Sequence, residues 1–379
     1  MLAQIDTPPR PDTLPLRLTE LAEPGAAEAR GVHAYSTAGT WPRLARRAGE
    51  AAMEVGLALG RDMLRAVDPR PTLRRLEPGL EPQPEARSIA LFVHYSPQGG
   101  VSEMVLRQLQ MLRQQGFAVA FISMAESIPE EDWEAVRQQA ALLALRRNFG
   151  RDFGAWHDLM DLALERWPAA EEVLLMNDSI LGPIRNPAPC FAGLRAGGPG
   201  LFGLTESLQS GPHLQSYLLL ARGRAAIEDL ALFLRQFVPS HSKWLVVRRG
   251  ELQLADWMRR RGHRVAALFG YQRLLEAALA DPAEVAQLSA SHPLLRGLDS
   301  LPPAAQRALL RAHPLNPTQH LWTVLVRRLA FPFLKTELVR RNPGHLPNVE
   351  HWPAFVPAGA PCPVAVIKAH LAGLHCPSA

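Results

Sequence analysis

The chain has 379 residues, enough for one large domain or two, and 47% of them are hydrophobic, an ordinary globular balance. Its net charge is +5, and only three of its 41 basic residues are lysines, which indicates a surface with mild affinity for anions and not a nucleic-acid-binding protein. Three cysteines exclude a disulfide scaffold and a four-cysteine zinc site. A reduced cytosolic chain is a simpler interpretation than a Cys362–Cys376 disulfide. The sequence contains no apolar stretch of about 18 residues and no recognisable secretory signal.

Residues 1–87 are predicted to precede the folded core. Residues 1–40 lack a sustained hydrophobic period and resemble a loose arm. Residues 41–67 predict an amphipathic helix decorated with arginines. Such a helix either docks on its own domain, which is the favoured interpretation, or lies on a membrane surface. Residues 68–87 contain five prolines and are predicted to be a linker.

From Ser88 onwards, strands and helices alternate along the chain, which predicts the α/β class with parallel strands. Residues 88–270 are expected to form the core, residues 271–345 a mainly helical C-terminal subdomain, and residues 346–379 a tail rich in Pro and Ala. The predicted strands are 88–95, 117–123, 141–145 and 172–176, and the predicted helices between them are 101–115, 129–139 and 155–166.

A first polar cluster follows the third predicted strand. It contains three arginines, including Arg147, together with Asn148, Asp152 and the glycines Gly150 and Gly154. Ligands of open parallel sheets bind at the carboxyl ends of strands, and the glycines would allow close approach to the backbone. The alternative is that Asp152 caps a helix and that residues 148–150 form a plain turn.

A second cluster, Asn177-Asp178-Ser179, follows the fourth predicted strand. A carboxylate at this position could hold Mg²⁺ or Mn²⁺, and the metal could bridge a diphosphate. The alternative is that these three residues form an Asx-turn that ends the strand. The sequence has no Walker A, G-x-G-x-x-G, H-E-x-x-H or G-x-S-x-G motif. With these classes of site excluded, the interpretation that remains is a metal–diphosphate site of the kind that binds a nucleotide-sugar.

A third group lies between residues 203 and 217, where Glu206 is a candidate general base at a strand end. His213, Gln215 and Ser216 could form hydrogen bonds with a sugar, although a half-buried strand gives the same alternation. Glu251 is a second candidate base.

Two polar residues farther along the chain have plainer interpretations. Thr318 is explained by helix capping, and Lys335 by a side chain that extends from an apolar setting to solvent, although it could also meet a phosphate.

Five motifs between residues 88 and 343, in this order, resemble the rhamnan synthesis protein F family: RRNFGRDFGAW, LLMNDSILGPI, FGLTES with HLQSYLLL, WLVVRRGELQLADWMRRRGH, and NPTQHLW with PFLKTELVRRNP. The resemblance implies a GT-A-like nucleotide-diphospho-sugar transferase fold. It also implies a bacterial glycosyltransferase that moves a deoxysugar, typically L-rhamnose from dTDP-L-rhamnose, onto a cell-envelope polysaccharide such as the O-antigen of lipopolysaccharide.

The resemblance also suggests roles for the clusters. Arg147, Asn148, Gly150, Asp152, Asn177 and Ser179 would bind the donor, and His213, Gln215, Ser216 and Glu251 the acceptor. Asp178 takes the place of the Asp-x-Asp motif of GT-A enzymes and would hold the metal. Because a single acid binds Mg²⁺ weakly, arginines would supply much of the charge that faces the diphosphate.

The hypothesis from sequence is a transferase in which Glu206 deprotonates an acceptor hydroxyl, while Arg147 and a metal on Asp178 stabilise the leaving diphosphate. The sequence does not distinguish retention from inversion at the anomeric carbon, and inversion by a single base is the favoured outcome. Its partners would be a nucleotide-sugar donor and a glycan or lipid-linked glycan acceptor. Its location would be cytoplasmic and peripheral on the inner face of the cytoplasmic membrane. The rival hypothesis is a non-catalytic module that binds a glycan or a nucleotide-sugar within an envelope assembly complex.

Overall fold

The structure, a computed structural model, describes residues 16–23, 41–68 and 70–374, and most side chains between residues 41 and 51 lie outside this description. The predicted arm falls outside the described residues except for 16–23, and so does Cys376. Cys190 and Cys362 are buried free thiols.

A ten-stranded mixed sheet forms the centre of the described chain, in the order β1-β11-β8-β10-β6-β3-β4-β5-β2, with β9 paired to β8. The strands β6, β3, β4 and β5 are parallel neighbours, as the alternation of strands and helices predicted. The α/β class is therefore confirmed. The strands are β1 Thr19–Glu20, β2 Leu73–Pro78, β3 Ser88–His94, β4 Ala118–Ser123, β5 Leu142–Arg146, β6 Glu172–Asn177, β7 Ile180–Leu181, β8 Gly200–Ser207, β9 His213–Leu214, β10 Leu218–Arg222, β11 Val265–Phe269 and β12 Leu334–Lys335.

Helices cover both faces of the sheet and make up most of the C-terminal part. The α-helices are α1 Trp41–Ala66, α2 Glu103–Gln114, α3 Glu130–Arg137, α4 Arg151–Arg166, α5 Ala188–Arg195, α6 Arg224–Gln236, α7 Lys243–Arg249, α8 Glu251–Arg260, α9 Tyr271–Leu279, α10 Pro282–Ser291, α11 Pro303–Ala312, α12 Pro317–His320, α13 Thr336–Arg341 and α14 Val364–Gly373. None of the helices in this part of the chain is both long enough and apolar enough to cross a membrane.

The central strand β3 explains why the apolar runs are nearly continuous. Its residues from Ile89 to Val93 are buried, and successive side chains point to opposite faces. Ile89 and Leu91 pack in the layer that contains α4, α6 and α8, whereas Ala90 and Phe92 pack in the layer that contains α2, α5 and α9. A parallel strand covered on both faces needs apolar residues on both.

The Pro-rich segment 68–87 is not the linker that its composition predicted. Its residues Leu73–Pro78 form β2, which pairs antiparallel with β5 at the edge of the sheet. An edge strand tolerates proline because one side of it needs no hydrogen-bond donors, so Pro78 is compatible with pairing. At the opposite edge, Thr19 and Glu20 of the predicted arm pair with β11.

A small second sheet joins the C-terminal region to the end of β6. In it β12 pairs antiparallel with β7, with Leu334 opposite Leu181 and Lys335 opposite Ile180. The predicted C-terminal tail contributes α14, which packs against α2. Segments distant in sequence therefore converge on the edge of the sheet where β6 ends.

Candidate functional site

A cavity of about 530 Å³ lies where the parallel strands of the sheet end. Tyr95 comes after β3, Met124 after β4, Asn148 after β5 and Asp178 after β6, and all four line the cavity. Later segments close it from the other side. Its polar lining includes Asn148, Arg151, Asp152, Asn177, Asp178, Ser179, Gln215, Ser216, Lys243, Glu251, Asn316, Gln319, Lys335, Thr336, Glu337, Arg340, Arg341 and His370.

The first two predicted clusters meet through a side-chain hydrogen bond. Asn177 Nδ2 donates to Asp152 Oδ2 at 2.7 Å, and Asn177 Oδ1 accepts from the backbone amide of Ser179 at 3.1 Å. The second of these bonds is the Asx-turn that the sequence allowed. The N-cap of α4 is Gly150 and not Asp152, whose carboxylate is instead directed to Asn177.

Gly150 supports this geometry without lining the cavity. Its φ is +80°, in the left-handed region, and a Cβ there would come within 2.6 Å of Pro239 Cβ and 2.9 Å of Gly154 Cα. Only glycine fits this position without a shift of its neighbours. The residue expected to bind the donor therefore shapes the turn that presents Asp152.

Asp178 lies in the cavity with one oxygen engaged. Its Oδ2 accepts a hydrogen bond from the Tyr95 amide at 2.7 Å. The pKa of Asp178 is raised to about 7, mainly by burial and in addition by the nearby Asp152 carboxylate, while the hydrogen bond from the Tyr95 amide opposes the shift. Burial also raises the pKa of Asp152. Burial of two neighbouring carboxylates thus makes negative charge costly at this end of the cavity.

Lys335 brings a positive charge into the same cavity and does not extend to solvent as its sequence context predicted. Its Nζ donates to Ser179 Oγ at 2.8 Å and lies 5.4 Å from the centre of the Tyr217 ring. Burial lowers the pKa of Lys335, whereas the carboxylates of Glu251 and Asp152 oppose this shift. The ammonium is therefore placed to meet an anionic ligand.

Glu251, the first residue of α8, adds another carboxylate to the cavity lining. Its Oε2 accepts from the Ser216 amide at 2.9 Å and also from the Ser216 hydroxyl. His213 Nε2 lies 3.7 Å from Glu251 Oε1, behind the residues that line the cavity. The structure thus brings together three of the residues expected to bind the acceptor, with His213 next to them.

Gln215 links the sheet to the C-terminal region. Its Nε2 donates to Thr318 Oγ1 at 3.2 Å, and its Oε1 accepts from Thr205 at 2.8 Å. Thr318 is buried and does not cap its helix, because the N-cap position of α12 belongs to Asn316. The threonine therefore connects two segments instead of ending a helix.

The three arginines of the first cluster have different surroundings. Arg151 lines the cavity. Arg146 is fully buried and pairs with Asp158 at 2.9 Å, a structural arrangement. Arg147, expected to face the diphosphate, instead lies 3.3 Å from Asp68 Oδ2 and lines a neighbouring cavity. Arg151 therefore replaces Arg147 as the arginine of this cluster in the cavity.

Glu206, the base expected from sequence, is placed outside the cavity lining. It is buried, its Oε1 accepts from the Ala22 amide at 2.7 Å, and its Oε2 accepts from the Tyr271 amide at 2.8 Å. Burial raises the pKa of Glu206, while the two amides oppose this shift. With both oxygens occupied, this side chain joins residues 19–22 and the start of α9 to the sheet.

Several lining residues were not singled out from sequence. Arg340, Arg341 and His370 come from α13 and α14, and Tyr95 contributes a backbone amide. No local pattern identifies residues that reach a strand end from a distant helix. In the C-terminal region, the sequence feature that could have indicated cavity-lining residues was the polar triplet Lys335-Thr336-Glu337, which directly follows an apolar run.

The donor set at Asp178 fits a metal ion that is shared with a ligand. Within residues 16–23, 41–68 and 70–374, no group of three or more His, Cys, Asp or Glu side chains is arranged to hold a metal. Mg²⁺ is commonly held by one or two carboxylates together with phosphate oxygens and water. Asp178, with Asp152 beside it, provides this number of carboxylates. A cation bound there would stabilise their charged forms and so oppose the effect of burial, which raises the pKa of both.

The fold and cavity define an α/β protein with a polar ligand site at the carboxyl ends of its parallel strands. Residues 119–274 match the family model of rhamnan synthesis protein F. The match confirms the predicted resemblance over this segment, which runs from β4 into α9. It includes Asp152, Asp178 and Glu251, whereas Lys335 lies beyond it.

Curated relatives share part of the chain. Virulence protein VirA of Vibrio anguillarum is 28% identical over 209 residues, which cover 54% of this chain and 64% of that protein. The uncharacterized protein y4gN of Sinorhizobium fredii is 24% identical over 200 residues, which cover 52% of each chain. The chain thus matches less than two thirds of the length of these relatives.

Solved structures resemble the chain at a lower level. One is described as a nucleotide-diphospho-sugar transferase from Desulfovibrio desulfuricans, with a TM-score of 0.32, 14% identity, and coverage of 63% of this chain and 98% of that one. A cytidylyltransferase from Leptospira borgpetersenii has a TM-score of 0.30, 8% identity, and coverage of 60% and 95%. Neither likeness assigns an activity.

Proposed function

We propose that the protein is a glycosyltransferase that moves L-rhamnose from dTDP-L-rhamnose to a hydroxyl group of a cell-envelope polysaccharide. The observation that carries the proposal is the meeting of Lys335, Asp178 and Glu251 in one cavity at the strand ends. A cation, a carboxylate able to share a metal with a diphosphate, and a candidate base are the groups that this reaction requires. The match to rhamnan synthesis protein F supports the polysaccharide role.

The donor diphosphate binds beside Lys335 and Arg151. Negative charge develops on this diphosphate as its bond to the anomeric carbon breaks, and fixed cations stabilise the departing group more than the intact donor. Asp178 and Asp152 would hold Mg²⁺ or Mn²⁺, which when bound supplies further positive charge to the diphosphate oxygens. Glycosyl transfer therefore draws on cations from both the sheet and the C-terminal region.

Glu251 takes the acceptor proton. Ser216 holds Glu251 Oε2 through its amide and hydroxyl, which fixes the carboxylate at the cavity wall. As the acceptor oxygen forms a bond to the anomeric carbon, its proton passes to Glu251, and the nucleotide diphosphate leaves from the opposite side. In-line attack by the acceptor hydroxyl, with Glu251 as the single base, predicts inversion at the anomeric carbon.

The test is dTDP release from dTDP-L-rhamnose by the purified full-length protein with Mg²⁺ and an acceptor glycan, with the product mass measured. Glu251→Gln is expected to reduce kcat by about 10²–10⁴-fold, the usual contribution of a general base. Glu206→Gln is the matched control, and we expect it to lower Tm because its amide group cannot accept both backbone bonds, with kcat of the folded protein retained.

Two results would overturn parts of this proposal. Loss of turnover in Glu206→Gln but not in Glu251→Gln would return the base to the position expected from sequence. If dTDP-L-rhamnose raises Tm but no acceptor yields dTDP, the non-catalytic binding role is correct. If no nucleotide-sugar raises Tm, the transferase role and the nucleotide-sugar-binding role are both wrong.

A further inference from the structure

Helix α1 is attached to the domain through acidic side chains. Glu54 accepts hydrogen bonds from Ser242 Oγ and from the Lys243 amide, both at 2.8 Å. Asp62 accepts from the His241 amide at 2.9 Å and from Ser240 Oγ at 2.6 Å. Two anchors eight residues apart on the same side of the helix fix its rotation. The face with these acids is therefore the face that contacts the protein.

The opposite face of α1 is apolar and exposed. Met53, Leu57 and Leu64, with Val67 just past the helix end, are 64–79% exposed. Their spacing places them along one stripe, which we call the apolar stripe. A surface helix of a globular protein normally buries its apolar stripe and exposes its charges. Helix α1 instead turns Glu54 and Asp62 to the domain and leaves the apolar stripe exposed, so the stripe is available to an apolar partner.

The surroundings of the apolar stripe are basic. Leu64 of the stripe borders a cavity of about 360 Å³ whose charged lining comprises Arg61, Arg65, Arg70, Arg147 and Asp68, with His241 at its edge. Asp68 is the one acid among these lining residues. The described acids of α1, Glu54 and Asp62, are both used to hold the helix on the domain. Asp68 pairs with Arg65, Arg70 and Arg147, so a net positive charge lies beside the exposed apolar residues.

We propose that the apolar stripe docks on an anionic lipid bilayer. The apolar side chains would enter the boundary between headgroups and acyl chains, and Arg61 would contact lipid phosphates. A second copy of the chain is a poorer occupant, because a symmetric contact between two such stripes would bring like charges together. This docking does not depend on the transferase activity.

The bilayer would also lie close to the catalytic cavity. Asn148 lines both that cavity and the arginine-lined cavity beside the stripe. Lys243, whose amide is bound by Glu54 of α1, lines the catalytic cavity too. A lipid-attached acceptor could therefore reach the proposed site without leaving the membrane surface, a point that rests on the proposed function.

The test is sedimentation of the full-length protein with vesicles of phosphatidylcholine alone or with phosphatidylglycerol added. We expect binding to the anionic vesicles that weakens as salt is raised. The double variant Leu57→Glu/Leu64→Glu should reduce the vesicle partition coefficient by more than about tenfold, since burial of each leucine alone contributes more than that factor. Arg61→Ala should reduce it by about fivefold on anionic vesicles only.

The matched control is Leu80→Glu/Leu294→Glu, which places the same two charges at exposed leucines away from α1. All four leucines are exposed, so both double variants should keep the wild-type Tm. Equal vesicle binding by the two double variants would overturn the proposal, and so would no binding by the wild-type protein. A wild-type dimer that Leu57→Glu/Leu64→Glu converts to a monomer, without vesicle binding, would assign the stripe to a second copy instead.

Discussion

Asp152 Oδ2 accepts a hydrogen bond from Asn177 Nδ2 at 2.7 Å, and this bond connects the segments that follow β5 and β6. These strands are not neighbours, since β3 and β4 lie between them in the sheet. The bond therefore crosses the carboxyl edge of four parallel strands. It brings the two polar clusters into a single site, and it depends on the turn at Gly150 for the position of Asp152.

Gly150→Ala should destabilise the protein more than Gly198→Ala. Both glycines have a left-handed φ, +80° and +75°, so alanine costs about 1–2 kcal/mol at either position. A Cβ at Gly198 meets nothing within 4 Å, whereas at Gly150 it meets Pro239 and Gly154. The extra crowding should add about 1–3 kcal/mol. Chemical unfolding of both variants measures the difference, and equal losses would contradict the crowding at Gly150.

Lys335→Met should reduce kcat/KM for dTDP-L-rhamnose by about 10²–10³-fold, because the cavity loses a cation that faces the diphosphate. Methionine keeps the length of the side chain and much of its packing. Lys368→Met is the matched control, since Lys368 is exposed on α14. Initial rates of dTDP release measure the effect. Equal rates for the two variants would remove Lys335 from the donor site.

Asp178→Asn should weaken metal binding in the presence of dTDP. The amide has no negative charge to share with a divalent cation, so the Mn²⁺ concentration for half-saturation should rise by at least about tenfold. Electron paramagnetic resonance of free Mn²⁺ measures this directly, without turnover. Asp161→Asn changes an exposed aspartate that pairs with Arg235 and serves as the control. Unchanged Mn²⁺ affinity in Asp178→Asn would exclude Asp178 as the ligand.

His94 should make the protein less stable as pH falls. Burial lowers the pKa of His94 from 6.5 to about 3, and the ring lies 3.0 Å from Ser123 Oγ. The unfolded chain therefore takes up a proton below about pH 6.5 that the folded chain does not, which favours unfolding by about 1.4 kcal/mol per pH unit.

Because the raised pKa values of the buried carboxylates act in the opposite direction, the measurement compares wild type with His94→Gln at pH 7, 6 and 5. The difference in free energy of unfolding, His94→Gln minus wild type, should increase by about 1.4 kcal/mol for each pH unit below 6.5. The exposed His351→Gln is the control. A pH-independent difference between wild type and His94→Gln would contradict the neutral buried histidine.

The α/β core was predictable because its strands are buried on both faces and its crossovers are short and local. The strand-end clusters at Asp152 and Asp178 followed from the same topology, since parallel strands present their carboxyl ends at one edge. Strand β2 was missed because the prolines of residues 68–87 suggested a linker, although only Pro78 lies within the strand and an edge strand accepts it.

The rest of the site depended on long-range packing that no local pattern encodes. Glu206 and Glu251 each stand next to an apolar segment and look alike in the sequence. The sequence could not show that backbone amides occupy both carboxylate oxygens of Glu206. The setting of Lys335 suggested exposure to solvent. Only the pairing of β12 with β7 turns this side chain into the cavity.

The two-residue pairing between β7 and β12 has a consequence for the order of assembly. It joins residues about 150 positions apart in the chain, and contacts between such distant residues are expected to form late in folding. A nascent chain that has formed the parallel sheet still lacks Lys335 and the wall formed by α13. A ligand of this cavity could therefore stabilise the protein only in the last steps of folding, and it could not guide the earlier ones.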